Sequence, residues 1–278
     1  MVKEKRSAII ISASSDIGTS ISLRWLSLGW KVFGTYRTKS KTVDELKSAG
    51  ATLSYCDLSD SKSTHDACFN LRTVCSQWDI LVMCPGRLEP IGAFVDCSFT
   101  EWEESIKVNF TGQMHILHEL LPFRQKNTEL GPIVFLFAGG GTNSSPVNYS
   151  AYVISKIAQI KICELFDAEI PDTRFVIIGP GWVKTKIHNS TLRAGAKAGN
   201  NYQRTMEMLS NNECTPMNGV LDCIDWLIEK PRELISGRNF SVVFDQWKTK
   251  ELEDKLSHEP DMYKLRRYGN EWLVKDEK

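Results

Sequence analysis

The chain has 278 residues, 42% hydrophobic and 24% charged, the balance of an ordinary folded protein and not of a disordered one. Its 34 Lys and Arg are matched by 34 Asp and Glu, so it lacks the basic excess of a nucleic-acid or membrane-surface binder. No apolar run approaches the ~20 residues that cross a bilayer, Ala8–Ile11 is too short for a secretory signal, and the eight cysteines form no C-x-x-C pair; a cytoplasmic protein with reduced thiols and no membrane partner is expected.

Short apolar runs alternate with helical patterns from the start. Ala8–Ile11 reads as a buried strand, Ile17–Leu28 as an amphipathic helix and Lys31–Tyr36 as a second strand. A helix over Thr42–Ser48, a strand over Thr52–Cys56, a helix over Ser63–Val74 and a strand over Asp79–Met83 follow. Thr100–Leu121 reads as one long helix closed by Pro122. Beyond it come a strand at Pro132–Phe137, a helix at Ser150–Glu169 ended by Pro171, and strands at Arg174–Ile178 and Arg238–Val243. Continuous apolar strands separated by crossover helices predict an α/β fold, a doubly wound parallel sheet of the Rossmann-like kind with helices on both faces. Residues 1–245 form a single domain in this reading. Residues 182–218, long and mostly polar, are expected to be a lid over a site. Residues 246–278 are expected to pack as a tail through Trp247, Tyr263, Tyr268 and Trp272.

The first strand runs through Ser12-Ala-Ser-Ser-Asp-Ile-Gly18 into a helix. A small-residue turn there lets backbone N–H groups approach a pyrophosphate at a helix N-terminus. Ser12, Ser14, Ile17 and Gly18 are therefore cofactor-binding candidates, although Ser12 and Asp16 stand where glycines belong. Asp57 and Leu58 follow the third strand, where a carboxylate could accept from an adenine amino group. Pro85 and Gly86 after the fourth strand would set compact backbone beside a ribose. Arg37 ends the second strand, and no acid occurs between Gly29 and Val43. An arginine there suits a ribose 2′-phosphate, so NADP(H) is expected in preference to NAD(H).

Tyr152 and Lys156 are spaced i, i+4 near the start of a helix, which puts phenol and ammonium on one face. A phenol is a poor acid–base near neutrality until a nearby cation lowers its pKa. The order of these motifs resembles the short-chain dehydrogenase/reductase family over about residues 6–245. Ser12–Gly18 matches its glycine turn, Asp57 its adenine-side acid, Cys84-Pro85-Gly86 its post-strand segment, Asn109 its helix asparagine, and Pro180–Thr185 its later PG segment. The resemblance implies that Tyr152 exchanges a proton with the substrate oxygen and that Lys156 binds the nicotinamide ribose and lowers the Tyr152 pKa. It implies that Asn109 holds a water linking Lys156 to solvent, that Pro180 and Gly181 belong to the cofactor-binding segment, and that Val183 and Thr185 contact the nicotinamide carboxamide. The family's usual serine falls at Gly139, which has no hydroxyl; Thr142, Ser144 or a glycine backbone N–H could substitute, with Thr142 the favoured donor.

The expected activity is interconversion of a secondary alcohol and a ketone on a small molecule. A non-catalytic nucleotide-binding protein is the alternative. Residues 182–218 carry three more cations than acids, which hints at an anionic substrate such as a nucleotide-activated sugar. The helix at Ser150–Glu169 is apolar on more than one face, so a homodimer or homotetramer is expected. His115 and His118 lack a third partner at ligand spacing, so no metal is expected.

Overall fold

The computed structural model describes residues 5–138, 144–211 and 213–269. Seven parallel strands form one sheet in the order β3-β2-β1-β4-β5-β6-β7: β1 is Ser7–Ile11, β2 Lys31–Tyr36, β3 Thr52–Tyr55, β4 Ile80–Met83, β5 Ile133–Phe137, β6 Arg174–Gly179 and β7 Arg238–Ser241. Every strand pair is parallel, and β1 lies between β2 (Ala8 opposite Val32) and β4 (Ala8 opposite Ile80). The doubly wound Rossmann-like α/β architecture read from the sequence is therefore present.

The two faces follow from the period of two along each strand. On β1, Ala8 and Ile10 join a core with Trp25, Leu46 and Ile224, whereas Ile9 and Ile11 join one with Leu71, Leu117 and Cys163. The first core is covered by α1 (Asp16–Ser27) and α2 (Lys41–Ser48), and by three later helices described below. The second is covered by α3 (Ser61–Val74), α5 (Gly112–Leu120) and α6 (Ser150–Glu169). Burial on both sides is why the strands read as continuous apolar runs.

Three segments depart from the expected elements. The long helix at 100–121 is α4 (Phe99–Ile106) and α5, joined by a wide π-helical turn at Lys107–Thr111. Asn109 sits in that turn, fully buried. Residues 182–218, for which the sequence suggested no elements, contain α7 (His188–Ala194), a 3₁₀ turn at Gly195–Ala198 and α8 (Asn200–Ser210). Thr215 N donates to Trp182 O at 2.6 Å, so the segment returns to its own start. Next come α9 (Met217–Ile228) and the short α10 (Arg232–Ile235), neither foreseen. In the tail, α11 (Lys250–His258) buries Leu252 and Leu256 in the first core, with Trp247 and Tyr263 against it. Trp272 lies outside the described residues.

The order reverses between β1 and β4, where successive connections leave in opposite directions. Such a point opens a crevice beyond the carboxyl ends of the strands, and ligands bind there in folds of this kind.

Candidate active site

A cleft of about 2170 Å³ occupies that crevice. It exceeds the roughly 300–1,000 Å³ of a site for one small ligand, enough for a dinucleotide and a guest. Its floor begins at the β1–α1 turn. Ser12 and Ile17 line the cleft, and Ser12 adopts φ +62°, the left-handed conformation a glycine would take without strain. Ser15 caps α1, its Oγ accepting from Gly18 N at 3.1 Å. A Cβ on Gly18 would stand 2.5 Å from Ser12 O, so only glycine lets α1 start this close to β1. Ser14 lies half-buried in the same turn. Asp16, the first residue of α1, accepts from Lys186 N at 2.7 Å and so ties the turn to residues 182–218.

The adenine side is arranged differently from expectation. Arg37 is exposed on the cleft wall at the end of β2. The Asp57 carboxylate turns into its own loop, Oδ1 accepting from Ser59 N at 2.9 Å and Ser59 Oγ at 2.7 Å. Burial opposes ionisation there, but these bonds, with Arg37 and Arg87 nearby, hold its pKa below the ordinary value. Leu58 is buried.

Pro85 and Gly86 line the middle of the cleft, and Asn109 holds that segment from behind. Its side chain accepts from Arg87 N and donates to Arg87 O, both at 2.8 Å, so one amide fixes both backbone groups of the loop residue. The Asn109 carbonyl accepts from the side-chain amides of Gln159 at 2.9 Å and Gln113 at 3.0 Å. Two glutamines thus bond to this one backbone carbonyl.

Tyr152 and Lys156 stand one turn apart on α6, both on the cleft wall, with Lys156 Nζ 5.8 Å from the Tyr152 ring centroid. Lys156 is 3% exposed and Tyr152 half-buried. Burial lowers the Lys156 pKa to about 8 and raises that of Tyr152 to about 12. For the phenol, desolvation outweighs the expected influence of the ammonium. Pro180, Gly181, Val183 and Thr185 line the cleft beyond β6. Gly181 has φ +74°, and a Cβ there would stand 2.5 Å from Thr215 Oγ1 and Val243 Cγ2. Gly139 and Thr142 lie outside the described residues.

Several wall residues escaped the sequence reading. Leu88, Ile91 and Tyr149 form a small apolar cluster with Ala198, joined by Tyr152, Val153, Ile187, Ala194 and Tyr202, where residues of α7 and α8 line the cleft. Tyr149 OH and Thr191 Oγ1 are 2.9 Å apart and buried. Tyr149 is the non-helical residue immediately before α6, so helical spacing from Tyr152 gave no signal for it. The five cations of the covering segment (Lys184, Lys186, Arg193, Lys197 and Arg204) are all exposed, and Arg193 is 3.2 Å from Glu89. Asn239, Ser241 and Tyr263 form a further wall, with Asn239 Oδ1 buried and without a partner among the described residues.

Comparison with known proteins gives this geometry its context. The chain matches the short chain dehydrogenase family over residues 6–195, and it belongs to that family, an oxidoreductase whose members bind NAD(P). It is 27% identical over 192 residues to an uncharacterized oxidoreductase of Staphylococcus saprophyticus, covering 66% of this chain and 81% of that one. It is 27% identical to a 3-oxoacyl-[acyl-carrier-protein] reductase of Buchnera aphidicola, covering 66% and 76%. The match to a serine 3-dehydrogenase of Rhizobium radiobacter spans 41% of this chain and 47% of that protein, at 29% identity. Among solved structures, a short chain dehydrogenase/reductase of Saccharomyces cerevisiae superposes with a TM-score of 0.76 at 18% identity, covering 90% and 98%. The actinorhodin polyketide ketoreductase with NADPH gives 0.72 at 19%, covering 86% and 96%. No helix among the described residues is long and apolar enough to cross a membrane.

The residues present fit a dinucleotide. The tight turn at Gly18 presents the start of α1, and Lys156 offers a buried ammonium on the cleft wall whose hydrogen-bond partners are neutral oxygens. Ser12, Ile17, Arg37, Pro85, Gly86 and Lys156 would hold it.

Proposed function

We propose that this protein is an NADP(H)-dependent oxidoreductase interconverting a ketone and a secondary alcohol, with Tyr152 as its acid–base. The observation that carries the reading is the phenol and ammonium one turn apart on the wall of the crevice at the sheet's reversal point. The reduced nicotinamide, when bound, supplies the hydride that reaches the carbonyl carbon. Tyr152 donates its phenolic proton to the carbonyl oxygen, so the alcohol forms with charge balanced, and in oxidation it takes that proton back. The Lys156 ammonium stabilises the phenolate left behind and holds the cofactor ribose. Val183 and Thr185 orient the nicotinamide.

Arg37 supports the preference for NADP(H), being the cation at the end of β2 on the cleft wall; the NADPH bound by the polyketide ketoreductase is in keeping with it. The apolar cluster around Tyr149 and Ile91 supports a substrate with an apolar group beside its carbonyl. The exposed cations of residues 182–218 support an anionic group at the cleft mouth, as on a nucleotide-activated sugar. Ile154 and Leu165, exposed on α6, support association of copies through that helix.

The test is NADPH oxidation over a panel of apolar ketones, acidic ketones and keto-sugar nucleotides, with Tyr152→Phe alongside. Turnover in the wild type and a loss of a hundredfold or more in the variant, with NADPH still bound, is expected. Equal rates in the two would overturn the acid–base role, and tight NADPH binding without turnover across the panel would favour a non-catalytic nucleotide-binding protein. Arg37→Ala should weaken NADPH at least tenfold while leaving NADH affinity within twofold, read by fluorescence titration; an unchanged ratio would remove the basis for the NADP(H) preference.

A further inference from the structure

Lys156 is held by an amide. Its Nζ donates to Gln159 Oε1 at 3.1 Å and reaches Pro85 O at 3.5 Å. Gln159 Nε2 donates in turn to Asn109 O at 2.9 Å and to Gln113 Oε1 at 2.7 Å. Gln113 Nε2 donates to Asn109 O at 3.0 Å and to Val108 O and Pro85 O at 3.3 Å. Gln159, Gln113 and Asn109 are fully buried, so each unmet donor or acceptor would carry its desolvation cost uncompensated.

That chain has one self-consistent direction. Reversing the Gln159 amide would turn its NH₂ toward the Lys156 ammonium and its oxygen toward the oxygens of Asn109 and Gln113, opposing like to like at every contact. Gln113 and Asn109 therefore dictate that Gln159 shows its carbonyl oxygen to the lysine. An amide oxygen holds an ammonium through its dipole and leaves the formal charge in place, where a carboxylate would neutralise it. The lone pair of an amide nitrogen is delocalised into its carbonyl and does not accept a proton, so the chain anchors the lysine without conducting protons from it.

We propose that Gln159 is a positioning residue for the acid–base pair: it fixes the Lys156 ammonium beside Tyr152 with its charge undiminished, its own orientation being set by Gln113 and Asn109. The proposal rests on the reading of Tyr152 and Lys156 given above. Among the described residues, the titratable groups facing Lys156 are Tyr152 on α6 and the Cys84 thiol after β4, which burial keeps protonated by raising its pKa to about 12. The π-turn and α5 contribute only the neutral amides.

The test compares Gln159→Glu with Gln159→Met, measuring kcat against pH on the fastest-reduced ketone of the panel, with thermal melting to confirm folding. A carboxylate at this position raises the affinity of both Lys156 and Tyr152 for protons, so the alkaline limb of reduction should move up by about one pH unit or more. The thioether leaves the ammonium without its dipole, so the limb should move down and kcat should fall at least tenfold. Displacement in opposite directions is a signature that simple loosening of the fold does not produce. Equal losses in the two folded variants with unmoved limbs would overturn the proposal, even where Tyr152→Phe is inactive; an active Tyr152→Phe would overturn the underlying reading instead. Should Gln159→Glu fail to fold, Gln159→Met decides alone: an unmoved limb overturns the proposal.

Discussion

Lys156 illustrates what a buried ammonium costs a fold. Burial at 3% exposure lowers its pKa from the ordinary 10.5 to about 8, so the folded chain holds an ammonium it would release more readily than the unfolded chain. Replacing it with methionine should raise the stability of the cofactor-free protein by about 1–2 kcal/mol at pH 7, less than the full shift implies because Gln159 Oε1 loses its donor. The sign has a pH signature. The penalty is complete below about pH 8, where both states are protonated, and fades toward pH 10.5, where both are neutral. Thermal melts of wild type and Lys156→Met should therefore converge as pH rises through that window; a gap that widened instead would contradict the assignment. At this scale the sequence announced its chemistry unevenly. Tyr152 and Lys156 were legible because a phenol and an amine at i, i+4 are rare in combination with a nucleotide-binding sheet. Gln159 and Gln113 were not, since a glutamine on a helix gives no sign that it will be buried. Asp57 was legible as an acid after β3, but the two bonds from Ser59 that turn it inward depend on loop geometry that spacing does not encode.

Between residues and the whole lie the segments that bring the site together. Periodicity found the strands because burial on both faces makes each of them apolar throughout. It misread two helical regions for opposite reasons. The stretch 99–120 is helical in pattern, and nothing in that pattern marks the π-turn at Lys107–Thr111 that carries Asn109. The mostly polar composition of residues 182–218 hides their helices, whose buried hydroxyls find partners, as Thr191 does with Tyr149 and Thr205 with Asn201 O. This segment is tied down at separate points: Lys186 N to Asp16 on α1, Asn148 Nδ2 to Lys197 O, and Asn201 Nδ2 to Val147 O. Asp16→Ala should remove the tie to the β1–α1 turn and leave the others in place. Limited proteolysis should then cut between residues 184 and 211 several times faster than in the wild type, with the sheet intact by circular dichroism. Equal cleavage rates would show that the tie contributes nothing to holding this segment.

The molecule as a whole is a sheet with two dissimilar coverings, and the tail completes one of them. Arg238 on β7 sends its guanidinium to three backbone oxygens of the tail, those of Leu256, Glu259 and Met262, at 2.7–3.0 Å. Arg266 and Leu265 N bond to Glu164 on α6, so the tail also reaches the other face. Deleting residues 246–278 would uncover Leu252, Leu256 and Tyr263's neighbours and strand a buried guanidinium without acceptors. Melting should fall by more than 10 °C, or the protein should fail to accumulate in soluble form. A truncated chain melting like the intact one would mean these contacts are incidental. The aromatic residues at 247 and 263 pointed to packing, but an arginine in a strand gave no hint that it would be the anchor.

The tail's passage along β7 has one more effect. Asn239 N, on the outermost strand, donates to Tyr263 O at 2.9 Å. Strand borders with open ladders invite a neighbouring molecule to continue the pairing, the first step toward fibrous aggregates. Here the tail has taken up a rung, so the edge of β7 that faces away from β6 is shielded by the protein itself, and crowding this enzyme should promote little edge-wise polymerisation on that side.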